Sequence, residues 1–217
     1  MNKFIFRFLP TGMLLSLWMG MSAPAQSMLQ DTNQFQPGSP DIWRDGIGSG
    51  FNSYTYSIGA MAGVGFGTKV FGSVQDHDLA MANVNASWIF PELWPQRRFG
   101  GNVELRGELF GGGEFSPEDR YISGFTAMLR YDFVTHSRWV PYVDAGFGCS
   151  STDIGRPDLG QNFEFNLQGG FGTYYFVRKD LALSVEWRWL HFSDAGSTTL
   201  NYGVNTQMID AGITRFF

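Results

Sequence analysis

The sequence has a single cysteine, Cys149, so no disulfide can form within one chain and a secreted disulfide scaffold is excluded. It is also poor in charge: Asp, Glu, Lys and Arg make up 16% of 217 residues, against about 25% in ordinary soluble domains. Acidic side chains outnumber basic ones, 20 to 15, which argues against nucleic acid as a partner, because its binders carry a basic face. Past residue 25 no uninterrupted apolar run reaches about 18 residues, so no membrane helix is expected there. Glycine, in contrast, is abundant, 28 residues or nearly twice the usual share of about 7%. Aromatics are high as well, at 17% with 21 Phe. This apolar and aromatic content excludes disorder, and this much glycine excludes a coiled coil. Together with the shortage of charge, it points to many short strands that alternate in polarity.

The first segment reads as a leader rather than as part of the fold. Lys3 and Arg7 precede a largely apolar stretch, Phe8 to Met21, and Ala23-Pro24-Ala25 supplies a small-x-small cleavage pattern. Residues 1–25 are therefore expected to be a secretory signal peptide; Pro10 and Gly12 interrupt the run, which is short for a membrane anchor. Residues 26–53, rich in Gly, Pro, Asn and Asp, read as an irregular N-terminal lead. The remainder, 54–217, is expected to be one domain.

That domain reads in period two. Eight alternating segments lie near 54–67, 77–90, 99–113, 120–134, 138–150, 161–177, 181–193 and 203–217. Turn-like clusters divide them: Pro91 to Gln96, Ser116-Pro117-Glu118-Asp119, Thr135-His136-Ser137 and Lys179-Asp180. The seventh segment sets Leu181, Leu183, Val185, Trp187 and Trp189 against Ser184, Glu186 and Arg188. The third sets Val103, Leu105, Gly107 and Leu109 against Asn102, Glu104, Arg106 and Glu108, and the sixth follows the same rule.

Alternation alone does not say which face points inward. The leader, strands of about 12 residues whose tilted rise matches a bilayer core, and an alternating last segment ending in Phe217 decide it. A terminal aromatic on such a strand resembles the recognition end of bacterial outer-membrane barrels. The expected fold is all-β, an eight-stranded antiparallel transmembrane barrel in the bacterial outer membrane, with the apolar face toward lipid. Eight strands give a lumen filled by side chains rather than a pore. Trp88, Trp94, Tyr121, Tyr131, Trp139 and Tyr175 near strand ends fit interfacial girdles. Glu104, Arg106, Glu108, Glu186 and Arg188 are expected to pair with one another inside.

The seventh segment carries the chemistry. Its outward stripe continues past Trp189 to His191 and Ser193. Two apart on one strand, these side chains share a face, close enough for the imidazole to accept the hydroxyl proton. With eight strands and both termini periplasmic, the pair falls at the extracellular end. An ester there would belong to a lipid of the outer leaflet.

At this point the chain resembles a known family. His191-Phe192-Ser193-Asp194-Ala195-Gly196, then Asn201-Tyr202-Gly203-Val204-Asn205 and a final strand ending in Phe, is similar to the lipid A 3-O-deacylase (PagL) family. The resemblance implies an eight-stranded outer-membrane barrel that removes the 3-O-linked hydroxyacyl chain of lipid A. It does so with a serine, a histidine and a glutamate on the lipid-facing wall and without a cofactor. It implies Ser193 as nucleophile, His191 as general base, and Gly196 and Asn201 at the oxyanion hole, with lipopolysaccharide as partner.

Two positions depart from the family. Asp194 stands where Asn is usual, and on a regular strand its side chain would point inward. Asn205 stands where the catalytic Glu is expected, on the outward stripe of Ile209, Ala211 and Ile213. An amide can hold a histidine but offers no countercharge to the imidazolium. In the serine-protease triad the acid-to-amide change lowers turnover by about 10⁴. The sequence therefore predicts a slowed esterase in which Asn205→Glu raises the rate by about 10² to 10⁴. The alternative is a non-catalytic small barrel with a structural, adhesive or membrane-stabilising role.

The other candidates carry less. His77 and His136 read as surface histidines, with no neighbouring Cys, His or Asp at metal-ligand spacing. Gly111-Gly112-Gly113 lacks the Gly-Lys-Ser/Thr of a phosphate loop. Cys149, on an outward stripe, is assigned no function.

Overall fold

The computed structural model describes residues 41–52, 54–94 and 99–217. The expected signal peptide and residues 26–40 of the lead lie outside them. Eight strands form in chain order: β1 (Thr55–Gly67), β2 (Asp78–Leu93), β3 (Gly101–Ser116), β4 (Arg120–Phe133), β5 (Trp139–Thr152), β6 (Phe163–Arg178), β7 (Leu181–Ser193) and β8 (Val204–Phe216). Each pairs antiparallel with the next, and β8 returns to β1, so the sheet closes as a barrel and leaves no unpaired edge. The expected all-β eight-stranded barrel is the observed fold. The boundaries shift by up to three residues, most at the ends of β2 and β3. β3 continues past Gly113 to Ser116, and β2 runs on through Pro91 to Leu93, where the register shift between Ile89 and Glu92 marks the irregularity that accommodates the proline.

The parity read from the sequence governs both faces. In β7 the even residues Ala182 to Phe192 are buried in the lumen and the odd ones face outward. Ile58, Leu105, Leu129, Leu183, Val185, Ile209 and Ile213 stand exposed on the outside. Strands of 13 to 16 residues are about 43–53 Å long at about 3.3 Å per residue, enough to cross a bilayer core when tilted.

The lumen is packed in three layers, which alternation alone did not reveal. At the end of the barrel where β1 begins and β8 finishes lies an apolar cluster of Ile42, Trp43, Phe51, Ile89, Val140, Tyr142, Tyr174, Phe176 and Phe216. The segment 41–52 supplies three of these: Trp43 and Phe51 bridge and stack at 4.2 Å, and Trp43 Nε1 donates to the Lys179 carbonyl at 3.0 Å. At the opposite end a second cluster gathers Leu79, Met81, Phe110, Ile122, Leu190, Phe192, Val204 and Met208. Between them lies a charged layer. Arg130 Nη2 donates to Asp144 at 2.6 Å and to Glu186 at 2.7 Å, its Nη1 to Tyr174 at 2.6 Å, and its guanidinium lies over the Tyr142 ring. Arg188 bonds both Glu108 and Glu186. Arg106 lies 3.8 Å from Glu108. Glu104 departs from the expected ion pairing: it is fully buried, and neither of its carboxyl oxygens has a hydrogen-bond partner among the described residues.

Removing one member of such a network strands buried charge, at a cost of about 3–5 kcal/mol. Arg130→Met should therefore lower the free energy of urea unfolding in lipid vesicles by about that amount. Unchanged stability would mean that the charged layer fills space without holding the barrel together.

Candidate active site

The strands fix the spacing at the end of the barrel where β7 finishes and β8 begins. His191 and Ser193 occupy successive outward positions at the end of β7, and Asn205 lies directly across from His191 at the start of β8. Pairing at this register brings the side chains within hydrogen-bond reach. His191 Nε2 is 3.1 Å from Ser193 Oγ, and His191 Nδ1 is 2.8 Å from Asn205 Oδ1. Because a carbonyl oxygen only accepts, Asn205 Oδ1 requires the proton on Nδ1. That leaves the Nε2 lone pair facing the serine hydroxyl. This is the tautomer a general base needs.

Two features hold the ring in place. Trp189 stacks on His191 at 5.7 Å with 8° between the planes. Gly203 comes so close that a Cβ there would lie 2.7 Å from His191 Cε1, and its φ of +80° is one that other residues rarely adopt. Glycine is thus required at 203 on both counts.

Asn205 departs from the lipid-facing position expected of it. It keeps the outward parity, yet it is only 1% exposed, because the loop 68–77 between β1 and β2 folds over it. Asn205 Nδ2 donates to the Val70 carbonyl at 3.0 Å, and the Thr68 amide donates to the Asn205 carbonyl at 2.8 Å. The same loop sets Phe71 edge-on to Trp189.

Gly196 and Asn201 lie in the loop 194–203, but the hydrogen bonds of their donors run elsewhere. The Gly196 amide donates to Asp194 Oδ1 at 2.9 Å, and Asn201 Nδ2 donates to Glu164 Oε2 at 3.0 Å. Asp194 is buried and accepts the Ser197 amide as well, so its side chain shapes the turn. Burial opposes its ionisation, but hydrogen bonding, that of the Gly196 amide included, holds its carboxyl below the usual range.

His77 overturns its surface assignment. It is 4% exposed, with Nδ1 2.5 Å from Glu114 and Nε2 2.9 Å from Asp158. Its partners are 37 and 81 residues away in sequence, so no local spacing could have revealed them. His136 is exposed, in the short β4–β5 turn. Among the described residues no group of three or more His, Cys, Asp or Glu could hold a metal ion.

A family model described as lipid A 3-O-deacylase (PagL) matches residues 38–214. No curated protein matches the chain by sequence. Among solved structures the chain is similar to the outer membrane enzyme PagL, with 19% identity, a TM-score of 0.54, and coverage of 72% of this chain and 97% of that one. It is also similar to Neisserial surface protein A (NspA), with 17% identity, a TM-score of 0.52, and coverage of 75% and 97%. Both likenesses speak to the barrel fold.

Proposed function

The chain belongs to the lipid A 3-O-deacylase (PagL) family, and on that premise we propose that it is an outer-membrane esterase acting on the 3-O-linked hydroxyacyl chain of lipid A. The observation that carries the reading is the hydrogen-bonded series Ser193–His191–Asn205 on the outer wall of the barrel. With the end of β8 toward the periplasm, that wall meets the outer leaflet, where lipopolysaccharide resides. Phe165 and Leu167, the cross-strand neighbours of Ser193 and His191, are exposed beside the pair and offer an apolar surface to acyl chains.

In this reading Ser193 Oγ attacks the ester carbonyl as its proton passes to His191 Nε2. The imidazolium then returns that proton to the departing sugar oxygen, leaving an acyl-serine. Water, deprotonated by the same nitrogen, releases the 3-hydroxy fatty acid and restores the serine. Asn205 orients the ring and stabilises the imidazolium only through its amide dipole, so turnover is slow. Gly196 and Asn201 build the 194–203 loop, because their donors are held by Asp194 and Glu164.

The test is expression in a Gram-negative host whose lipid A carries a 3-O-hydroxyacyl chain, with mass spectrometry of the extracted lipid. Loss of one hydroxyacyl chain is the expected result, and the protein should fractionate with outer membranes. One observation favours a second reading, a non-catalytic surface barrel: an amide stands where the relay calls for a carboxylate. Unaltered lipid A in cells holding the folded protein would establish that reading.

A further inference from the structure

The hydrolytic reading leaves one buried charged cluster without a task. His77, Glu114 and Asp158 meet at the end of the barrel where β7 finishes and β8 begins, with side chains at most 5% exposed. A carboxyl oxygen lies within hydrogen-bond reach of each ring nitrogen, so His77 bridges Glu114 on β3 and Asp158 in the β5–β6 loop. Asp158 does more than pair with it. Asp158 Oδ1 accepts the Val74 amide at 2.9 Å and Oδ2 the Gln75 amide at 3.2 Å. Its carbonyl accepts the Gly203 amide at 2.8 Å, next to His191. The Thr206 hydroxyl donates to the His77 carbonyl at 3.0 Å. The cluster thus fastens the β1–β2 loop to β3, to the β5–β6 loop and to β8.

Asn205 depends on what that loop presents. An amide has two unlike ends, and only one orientation serves the base. With the NH₂ end on the Val70 carbonyl, Oδ1 must face His191. If the loop lifts, the amide is free to rotate. An NH₂ facing Nδ1 would then select the tautomer with its proton on Nε2, which cannot accept from Ser193. A carboxylate at this position would present oxygen on either side and need no such guide.

We propose that His77, Glu114 and Asp158 form a latch of positioning residues that holds the Val70 carbonyl on the Asn205 amide and thereby fixes the proton on His191 Nδ1. The inference rests on the catalytic role proposed above for His191, and its test separates the two. His77→Gln and Asp158→Ala would be made in the full chain, each alone and combined with Asn205→Glu, and assayed on purified lipid A. In the parent background each should lower kcat about tenfold with KM within twofold. In the Asn205→Glu background the loss should shrink to less than twofold.

A second readout does not depend on turnover: ¹⁵N spectra of histidine-labelled protein in detergent. The chain has three histidines, and His191 should be protonated at Nδ1 in the parent and shift toward the other tautomer in both latch variants. Equal kcat losses in the two backgrounds, or an unchanged His191 tautomer, would overturn the latch. An inactive parent whose tautomer shifts as described would overturn the esterase reading and leave the latch standing. Asp158 lies within the β5–β6 loop, whereas His77 directly precedes β2, so Asp158→Ala carries the test if His77→Gln does not reach the heat-modifiable barrel form. Failure of both variants to fold would show that the cluster holds the barrel rather than the loop, and would also overturn the proposal.

Discussion

Ser193→Ala should reduce release of the 3-hydroxyacyl chain by about 10³-fold or more, the scale of nucleophile loss in enzymes that work through a serine–histidine pair. The hydroxyl is the only atom lost, and Ser193 sits half-exposed at the end of β7. The barrel should therefore assemble as in the parent and run with the same heat-modifiable mobility. The measurement is a single-turnover rate on purified lipid A for parent and variant at equal folded concentration. Equal rates would remove Ser193 from the chemistry. The hydrogen bond it shares with His191 would then be an ordinary polar contact at the headgroup level.

Substitutions at Asn205 should move the rate in both directions. Asn205→Ala deprives His191 Nδ1 and the Val70 carbonyl of their partners. An unmet hydrogen bond of about 1–3 kcal/mol in the transition state corresponds to a loss of about 10- to 10²-fold. Asn205→Glu supplies the missing charge. From the residue type alone the gain spans about 10² to 10⁴, the upper figure being what the serine-protease triad loses when its acid becomes an amide. There, however, the loss arises because the amide selects the wrong tautomer. Here Val70 already turns the Asn205 amide so that its oxygen faces the ring. What remains to be recovered is the difference between a neutral and a charge-assisted hydrogen bond, about 1–1.5 kcal/mol, or roughly tenfold. Rates for parent, Asn205→Glu and Asn205→Ala on one lipid A preparation check both directions. A gain near 10⁴ would mean that the amide does not hold the tautomer. No gain with glutamate and no loss with alanine would take Asn205 out of the relay.

The period-two pattern was enough to place His191 and Ser193 on one face of β7 and Asn205 on the facing stripe of β8. A strand assigns alternate residues to alternate faces, and that rule needs no knowledge of the rest of the chain. The same rule set the strand count and sorted lipid-facing Leu183 and Val185 from lumen-facing Ser184 and Glu186. It could not show that Asn205 lies under a roof. That depends on how the loop 68–77 folds back, and the loop is held by Glu114 and Asp158, which lie 37 and 81 residues from His77 in the sequence. Nor could it show that the Gly196 and Asn201 donors are taken by Asp194 and Glu164, or that Trp43 and Phe51 fill one end of the lumen. Alternation is a local property of the backbone. Which carboxylate meets which donor across distant loops is decided by closure of the sheet, and for this chain that closure determines which end of the Asn205 amide faces the histidine.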